Sequence, residues 1–174
     1  LIGLPRAFLR AVADDCGIDP GARFTVGAVF LDPASKTCTR QRQRLESRLE
    51  AQGLAVAGWR TVPLNHDALG ERARQTMPRI EHVFVSATAD IDDETFQRKL
   101  FLARRLAETE TGPDEAFYIA SLSATTLSYK GMVMPEYLAQ FYPDLADPRL
   151  ESPMALFHQR FSTNTLGAWH LAHP

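Results

Sequence analysis

The sequence predicts one domain of the α/β or α+β class, with helices packed on the faces of its sheets. Runs rich in β-branched and aromatic residues alternate along the chain with segments whose apolar residues recur at helical spacing. The 174 residues can bury a sizeable core, and no repeat or low-complexity tract divides them. Alternating strands and helices are equally typical of a parallel sheet, so periodicity alone leaves the strand direction open.

Six segments have the composition of strands. The run at 24–31 is apolar on both faces, which favours a central position in a sheet. Pro63 ends the run at 54–62 because proline cannot donate to a ladder. The runs at 117–122 and 126–129 are predicted to form an antiparallel hairpin. The predicted strands are 24–31, 54–62, 80–86, 117–122, 126–129 and 154–160.

Five helices are predicted between these strands. Pro5 and Pro33 stand at first-turn positions, where the missing N–H costs little. Leu45 and Leu49 mark the buried line of the second helix, whose many charges are interpreted as a solvated face. The predicted helices are 5–13, 33–52, 68–76, 92–110 and 135–141, with Phe96, Leu100, Ala103 and Ala107 as the apolar stripe of the fourth.

Composition argues against several classes of function. The net charge is -2 and the Lys and Arg residues are scattered, so the sequence shows no basic patch that would bind nucleic acid. No apolar run reaches the roughly 18 to 20 residues that span a bilayer, and the start at Leu1 lacks the basic flank of a secretory signal. We therefore expect a cytoplasmic protein without a membrane or nucleic-acid partner. The absence of an initiating Met predicts that the chain begins inside a longer sequence.

The cysteines and histidines do not predict a metal site. Cys16 and Cys38 lie in different predicted elements and lack CxxC spacing, which disfavours both a disulfide and zinc. His170 and His173 could bring two imidazoles together, but no carboxylate or thiol accompanies them. We expect no metal.

The strongest functional pattern lies near the end of the sequence. Met154-Ala155-Leu156-Phe157 has the pattern of a buried strand, and it leads to Arg160 within a stretch of Ser, Thr and Asn. A guanidinium beside hydroxyls, amides and backbone N–H groups suits the binding of a carboxylate. The alternative is a strand end with an exposed Arg and a capping Ser/Thr cluster.

Three ordered blocks of sequence carry a resemblance to a known family. The first block contains Gly58-Trp59-Arg60, Val62-Pro63, Met77-Pro78-Arg79-Ile80 and Val83-Phe84-Val85. The second block contains Ser121-Leu122-Ser123, Tyr129-Lys130-Gly131-Met132, Pro135-Glu136 and Phe141-Tyr142-Pro143-Asp144-Leu145. The third block is the heptapeptide Arg160–Leu166. Together they resemble the glutaminase domain of glutamate synthases, which is a class II glutamine amidotransferase of the N-terminal-nucleophile type.

The resemblance implies an α+β fold, an αββα sandwich of antiparallel sheets between helical layers. It also implies that Arg160 binds the α-carboxylate of glutamine and that Thr163 and Asn164 contact its amino-acid end. Phe161 would form an apolar wall of the pocket. Thr125 stands where an Arg is expected, which weakens any prediction of a second cationic contact there. Tyr129-Lys130-Gly131 is interpreted as a structural turn.

Members of this family attack the glutamine amide with an N-terminal cysteine thiolate and stabilise the oxyanion with an Asn side chain and a Gly N–H. We expect residues 1–174 to be a partial domain that lacks both the nucleophile and the oxyanion-hole segment. Cys16 is rejected as a substitute because Asp14 and Asp15 would oppose its thiolate, and Cys38 has no partner base. The fragment alone is therefore expected to be inactive.

By the same resemblance, the parent protein is an oxidoreductase of glutamate biosynthesis and nitrogen assimilation that carries FMN and an iron–sulfur cluster. We expect no cofactor in this segment, because it has no cysteine cluster and no phosphate-binding Gly-rich loop. Its expected partners are glutamine, the remaining synthase domains and an electron-donor subunit, with the donor left open. The alternative is a catalytically silent α/β module for assembly or amino-acid binding.

Overall fold

The computed structural model describes residues 1–110, 116–159 and 166–171, which contain a four-stranded and a two-stranded sheet. The strands are β1 (Ile2–Gly3), β2 (Phe24–Leu31), β3 (Leu54–Thr61), β4 (Arg79–Ala87), β5 (Tyr118–Leu122) and β6 (Thr126–Leu127). The larger sheet has the order β3-β4-β2-β5, and β1 pairs with β6. Every one of these pairs is antiparallel, which resolves the direction that periodicity left open.

The helices form the layers around this sheet. They are α1 (Arg6–Asp15), α2 (Ser35–Ala51), α3 (Glu71–Gln75), α4 (Asp93–Thr109) and α5 (Leu138–Phe141), with short 3-10 helices at His66–Ala68, Pro135–Tyr137, Pro143–Ala146 and Trp169–Leu171. Asp92 begins α4 by accepting the N–H of Thr95 with its side chain. The predicted helix at 68–76 is divided, because the chain is extended at Gly70 before α3 begins.

Strand β2 lies at the centre of the sheet, as its apolar sequence predicted, and all eight of its residues are buried. Val29 and Leu31 point to one face, where they join the buried sides of α2 and α4. The predicted stripes of both helices lie in this layer: Leu45, Leu49, Phe96, Leu100, Ala103 and Ala107. The predicted α+β class with antiparallel sheets is therefore confirmed.

The opposite face of β2 carries Phe24, Val26, Ala28 and Phe30. It is covered by α1, by the ribbon of β1 and β6, and by the chain that follows residue 128. This second layer is built from short elements and turns. It holds several buried polar groups, among them Arg60 and Asp144.

Two predictions about strands are wrong. Residues 154–159 form only the single bridge Ile2↔Ala155, and Phe157 is 89% exposed, so this run is not a buried strand. The ribbon strand that it meets is only two residues long, which limits the pairing. The predicted hairpin is also absent, because β6 pairs with β1 and not with β5. The hydroxyl of Ser121, a residue of β5, accepts the N–H of Ser128 instead, which is a local bond between side chain and backbone.

Within the described ranges, none of the helices has both the length and the apolar content required to cross a bilayer.

Candidate functional site

The four residues predicted to bind glutamine, Arg160, Phe161, Thr163 and Asn164, lie outside the described residues. The structure does describe the chain on both sides of this stretch. Gln159 precedes it and residues 166–171 follow it. The candidate site is therefore built from the elements that these two flanks contact.

Gln159 lines a groove of about 850 Å³. The other walls come from residues 67–73 and from residues between Met132 and Gln140. This volume lies within the roughly 300–1,000 Å³ of typical small-molecule sites. Apolar side chains such as Met132 and Tyr137 line it together with the charged Glu71, so the groove suits a small molecule with both polar and apolar parts.

Trp169 fixes the other flank. Its ring is 6% exposed and lies edge-on to Phe30, with the ring centroids 6.1 Å apart. Its indole N–H donates to the carbonyl oxygen of Ala73 at 3.1 Å, and this contact joins residues 166–171 to α3 and the groove wall. Gly131 lies directly under the ring, because a Cβ at that position would be 2.8 Å from Trp169. A glycine is required there by this close approach.

A buried ion pair between Arg60 and Asp144 lies in the same layer. The Arg60 guanidinium donates two bonds to the Asp144 carboxylate, each of 2.7 Å, with only 8% and 5% of the two side chains exposed. The Tyr129 hydroxyl donates to the same carboxylate at 3.2 Å. Fork-to-fork pairing of this kind restricts the geometry of both partners. It therefore connects β3 to the 3-10 helix at Pro143–Ala146 and to the Tyr129 turn.

The groups around this ion pair stay uncharged at neutral pH. Burial, and to a smaller extent the nearby Arg60, lowers the pKa of His82 to about 3. Since a guanidinium only donates, His82 Nδ1 is the acceptor in the long 3.4 Å contact between them. Burial also raises the pKa of the Tyr129 and Tyr142 phenols far above neutrality. None of the three suits proton transfer near pH 7, so the cluster is structural.

The earlier blocks of the resemblance converge on this cluster. Arg60 belongs to the first block, and Tyr129, Tyr142 and Asp144 belong to the second. The Tyr142 hydroxyl donates to the carbonyl oxygen of Lys130 at 2.8 Å, which closes the turn. Sequence reasoning missed the ion pair because its partners are 84 positions apart. A buried-strand Arg and an Asp after Pro143 were the available signals.

Lys130 departs from its interpretation as a plain turn residue. Its side chain is 5% exposed, and Nζ lies 3.9 Å from the ring centroid of Tyr118 and 5.9 Å from that of Phe30. Burial, and to a smaller extent Arg104, lowers its pKa to about 8. Its Nζ and the Ser128 hydroxyl are buried without a hydrogen-bond partner in the described part of the chain.

Neither cysteine has the setting of a nucleophile. Cys16 is exposed and Cys38 is buried in the layer of α2, and both are free thiols. Cys16 lines a second cavity of about 480 Å³, where Arg149 pairs with Asp15 and Asp147. Across the ranges that the structure describes, no three His, Cys, Asp or Glu side chains are placed to hold a metal ion. His173 of the considered histidine pair lies outside those ranges.

Comparison with known proteins gives one consistent family. Residues 1–174 match the family described as "Glutamine amidotransferases class-II". The chain is 38% identical over 177 residues to "Glutamate synthase [NADPH] large chain" of Bacillus subtilis (strain 168), covering 100% of this chain and 12% of the relative. It is 42% identical over 161 residues to the protein of the same name from Azospirillum brasilense, covering 89% and 10%.

A plant relative gives the same result. "Ferredoxin-dependent glutamate synthase 2, chloroplastic" of Arabidopsis thaliana is 40% identical over 152 residues, which cover 86% of this chain and 9% of the relative. The chain therefore spans about a tenth of the length of the curated relatives that it matches.

Proposed function

The chain belongs to the class II glutamine amidotransferases, and from this membership we propose that it forms the glutamine-binding part of the glutaminase domain of a glutamate synthase. In the proposed reaction, glutamine and water give glutamate and ammonia, and the ammonia is transferred to 2-oxoglutarate in another domain. The observation that carries the proposal is the heptapeptide Arg160–Leu166, which occurs in order with two other blocks in a chain that matches the family throughout.

Within this function, Arg160 holds the α-carboxylate of glutamine through a paired, charge-assisted hydrogen bond. Thr163 and Asn164 contact the amino-acid end, and Phe161 forms an apolar wall. The groove that Gln159 lines supports this assignment, since its volume of about 850 Å³ is in the range of small-molecule sites and leaves room for an amino acid. The buried contacts of Trp169 support it as well, because they hold the chain after the stretch against the groove wall.

The chemical step in this family starts from an N-terminal cysteine thiolate. The thiolate attacks the side-chain amide carbon, the C–N bond breaks, and nitrogen leaves as ammonia after taking up a proton. Water then cleaves the glutamyl thioester and restores the thiol. We propose that residues 1–174 supply binding and not the nucleophile, because Cys38 is buried and the exposed Cys16 follows two aspartates. Purified residues 1–174 should release no ammonia from glutamine.

The iron–sulfur cluster expected of the parent does not fit the residues of this chain, and the sequence has no phosphate-binding Gly-rich loop for its FMN. An iron–sulfur cluster takes several thiolates, whereas Cys16 and Cys38 are the chain's two cysteines and lie in different elements. We propose that these groups, and any electron-donor subunit, bind elsewhere in a cytoplasmic parent enzyme.

The decisive experiment compares two nitrogen sources in the full-length parent. Arg160→Lys keeps the charge but loses the planar fork. Because a hydrogen bond to a charged group contributes about 1.5–3 kcal/mol, glutamine-dependent glutamate formation should fall by roughly ten- to a hundred-fold in kcat/KM. Ammonia-dependent formation should be unchanged. Arg98→Lys is the matched control, since Arg98 is 63% exposed on α4.

Equal losses with glutamine and ammonia would assign Arg160 a structural role. Unchanged glutamine kinetics would reject it as a ligand and would favour the alternative, a silent module for assembly or amino-acid binding. In that case, calorimetric titration of glutamine into the parent would separate amino-acid binding from assembly.

A further inference from the structure

Helix α4 is apolar on two sides. Its inner side carries the buried stripe already described, which packs against the sheet. Its outer side carries three large apolar side chains, Phe101, Leu102 and Leu106, which are 54%, 42% and 40% exposed. At about 3.6 residues per turn, these positions lie on the side away from the buried stripe. A helix on the surface of a domain normally has a polar outer side, whereas a helix that is apolar all round is covered on all sides.

Helix α2 provides a comparison within the same molecule. It has the same length of 17 residues and covers the same face of the sheet. Its outer side is polar, because Ser35, Thr39, Gln43 and Ser47 follow one another at four-residue intervals and are all exposed. Its two leucines have no exposed surface. The apolar outer side is therefore a property of α4 and not of the whole layer.

This surface is separate from the candidate substrate site. None of the three apolar residues is among those that line the groove. The groove belongs to the second layer, on the other face of the sheet. The other large exposed apolar side chains of the described residues lie in the groove wall, at 154–157 or at 166. The proposed glutamine site therefore does not explain why the outer side of α4 is apolar.

Two arginines lie among these apolar side chains. Around the helix, Arg98 and Arg105 fall between the phenylalanine and the two leucines. Their side chains are 63% and 59% exposed, and each donates an N–H to a carboxylate of the same helix, Glu94 or Glu108, at 3.2 Å. A guanidinium has five N–H donors, so one such bond does not saturate it. Aromatic and Arg side chains are the types enriched at interfaces, so this face has the composition of a contact surface.

The size of the surface indicates which partner it suits. Three side chains at these exposures supply only a small part of the roughly 800 Å² per partner that a stable complex between separate proteins buries. A second copy or a separate subunit would therefore bind weakly through this face alone. Another part of the same polypeptide is held nearby by its covalent connection, so a smaller contact is sufficient. The curated relatives contain such parts, because this chain spans only 12% and 10% of two of them.

We propose that the outer side of α4 docks against another part of the parent polypeptide, outside residues 1–174. The inference rests on the proposed function for the existence of that parent, and it identifies the surface by which this domain is seated in it. The partner surface is apolar where it meets Phe101, Leu102 and Leu106, and it carries carbonyl or carboxylate acceptors where it meets Arg98 and Arg105. Docking removes the exposed apolar area from water, and contact at α4 does not cover the groove.

The experiment replaces Phe101 with the photo-crosslinking residue p-benzoylphenylalanine in the full-length parent. Irradiation should join position 101 to peptides outside residues 1–174 of the same polypeptide, as read by mass spectrometry, with no change of chain mass on a denaturing gel. The same residue in place of Gln43, on the polar outer side of α2, is the matched control and should give little of this product.

Charged variants then test the apolar contact itself. Leu102→Asp with Leu106→Asp should remove most of the cross-link from position 101, because docking would bury two charges. Gln43→Asp adds a charge at an exposed polar position and should leave the cross-link unchanged. Hydrogen exchange of β2 should be the same in all variants, because the changed side chains are exposed. If the double variant unfolds, the cross-link from position 101 in the otherwise native chain still decides the assignment.

The outcomes separate this inference from the proposed function. A product of doubled mass would overturn the inference in favour of self-association, and a cross-link to a separate subunit would overturn it in favour of that subunit. Absence of product at position 101, or equal yields at positions 101 and 43, would mean that the outer side of α4 has no partner in the parent. If Arg160→Lys then still impairs only the glutamine reaction, the function stands and the docking surface is rejected. A cross-link as expected with unchanged glutamine kinetics in Arg160→Lys would leave the docking surface standing and reject the substrate role of Arg160.

Discussion

The ion pair between Arg60 and Asp144 should be the main polar determinant of stability in the second layer. Asp144→Asn keeps the shape but removes the charge, and Arg60 then remains 8% exposed without its carboxylate. Breaking a buried pair from one side typically costs about 3–5 kcal/mol. The variant also replaces the carboxylate that accepts the Tyr129 hydroxyl, at 3.2 Å, with an amide. We expect a loss in this range, localised to β3 and the 3-10 helix at Pro143–Ala146.

The measurement is native-state amide hydrogen exchange of the full-length parent, read by mass spectrometry on peptides from β3. A loss of about 3–5 kcal/mol corresponds to an increase of roughly two to three and a half orders of magnitude in the exchange rate. Replacing both partners, Arg60→Met with Asp144→Leu, should recover much of the protection, because apolar pairs often substitute for buried ions. Glu94→Gln breaks an exposed pair and serves as the control.

The reasoning fails if exchange of β3 is unchanged in Asp144→Asn. It also fails if the double variant is as unprotected as the single one, because the cost would then not come from the uncompensated guanidinium.

Three further predictions concern the layers and the buried lysine. Gly131→Ala places a Cβ 2.8 Å from the Trp169 ring, so it should raise the KM for glutamine while sparing the ammonia reaction, as steady-state kinetics would reveal. Leu100→Ala, at a position with no exposure, should cost about 2–5 kcal/mol in hydrogen exchange, whereas Leu102→Ala, 42% exposed, should cost far less. Without ligand, the free energy of unfolding should rise between pH 8 and 10.5, because the unfolded chain holds the Lys130 proton more tightly than the folded chain does. Lys130→Met should flatten this rise, as measured by hydrogen exchange at a series of pH values.

Much of the first layer follows directly from local sequence. The spacing of apolar residues and the local composition predicted β2, β4, β5 and the buried stripes of α2 and α4. This was possible because each of these elements buries one face, and the spacing of its apolar residues can be read within a few residues or helical turns. The run at 154–157 has the same apolar content but lies exposed, since burial depends on what covers a segment and not on its composition.

The candidate site shows a similar division. The sequence by itself determined the family, through ordered motifs, and it predicted Arg160 as the residue that binds a carboxylate. It could not predict that Arg60 and Asp144 form one buried pair, or that Lys130 lies over Tyr118 without a hydrogen-bond partner among the described residues. Those facts depend on contacts between segments far apart in the chain. Only the packed tertiary structure decides which polar groups are desolvated and which partners they meet.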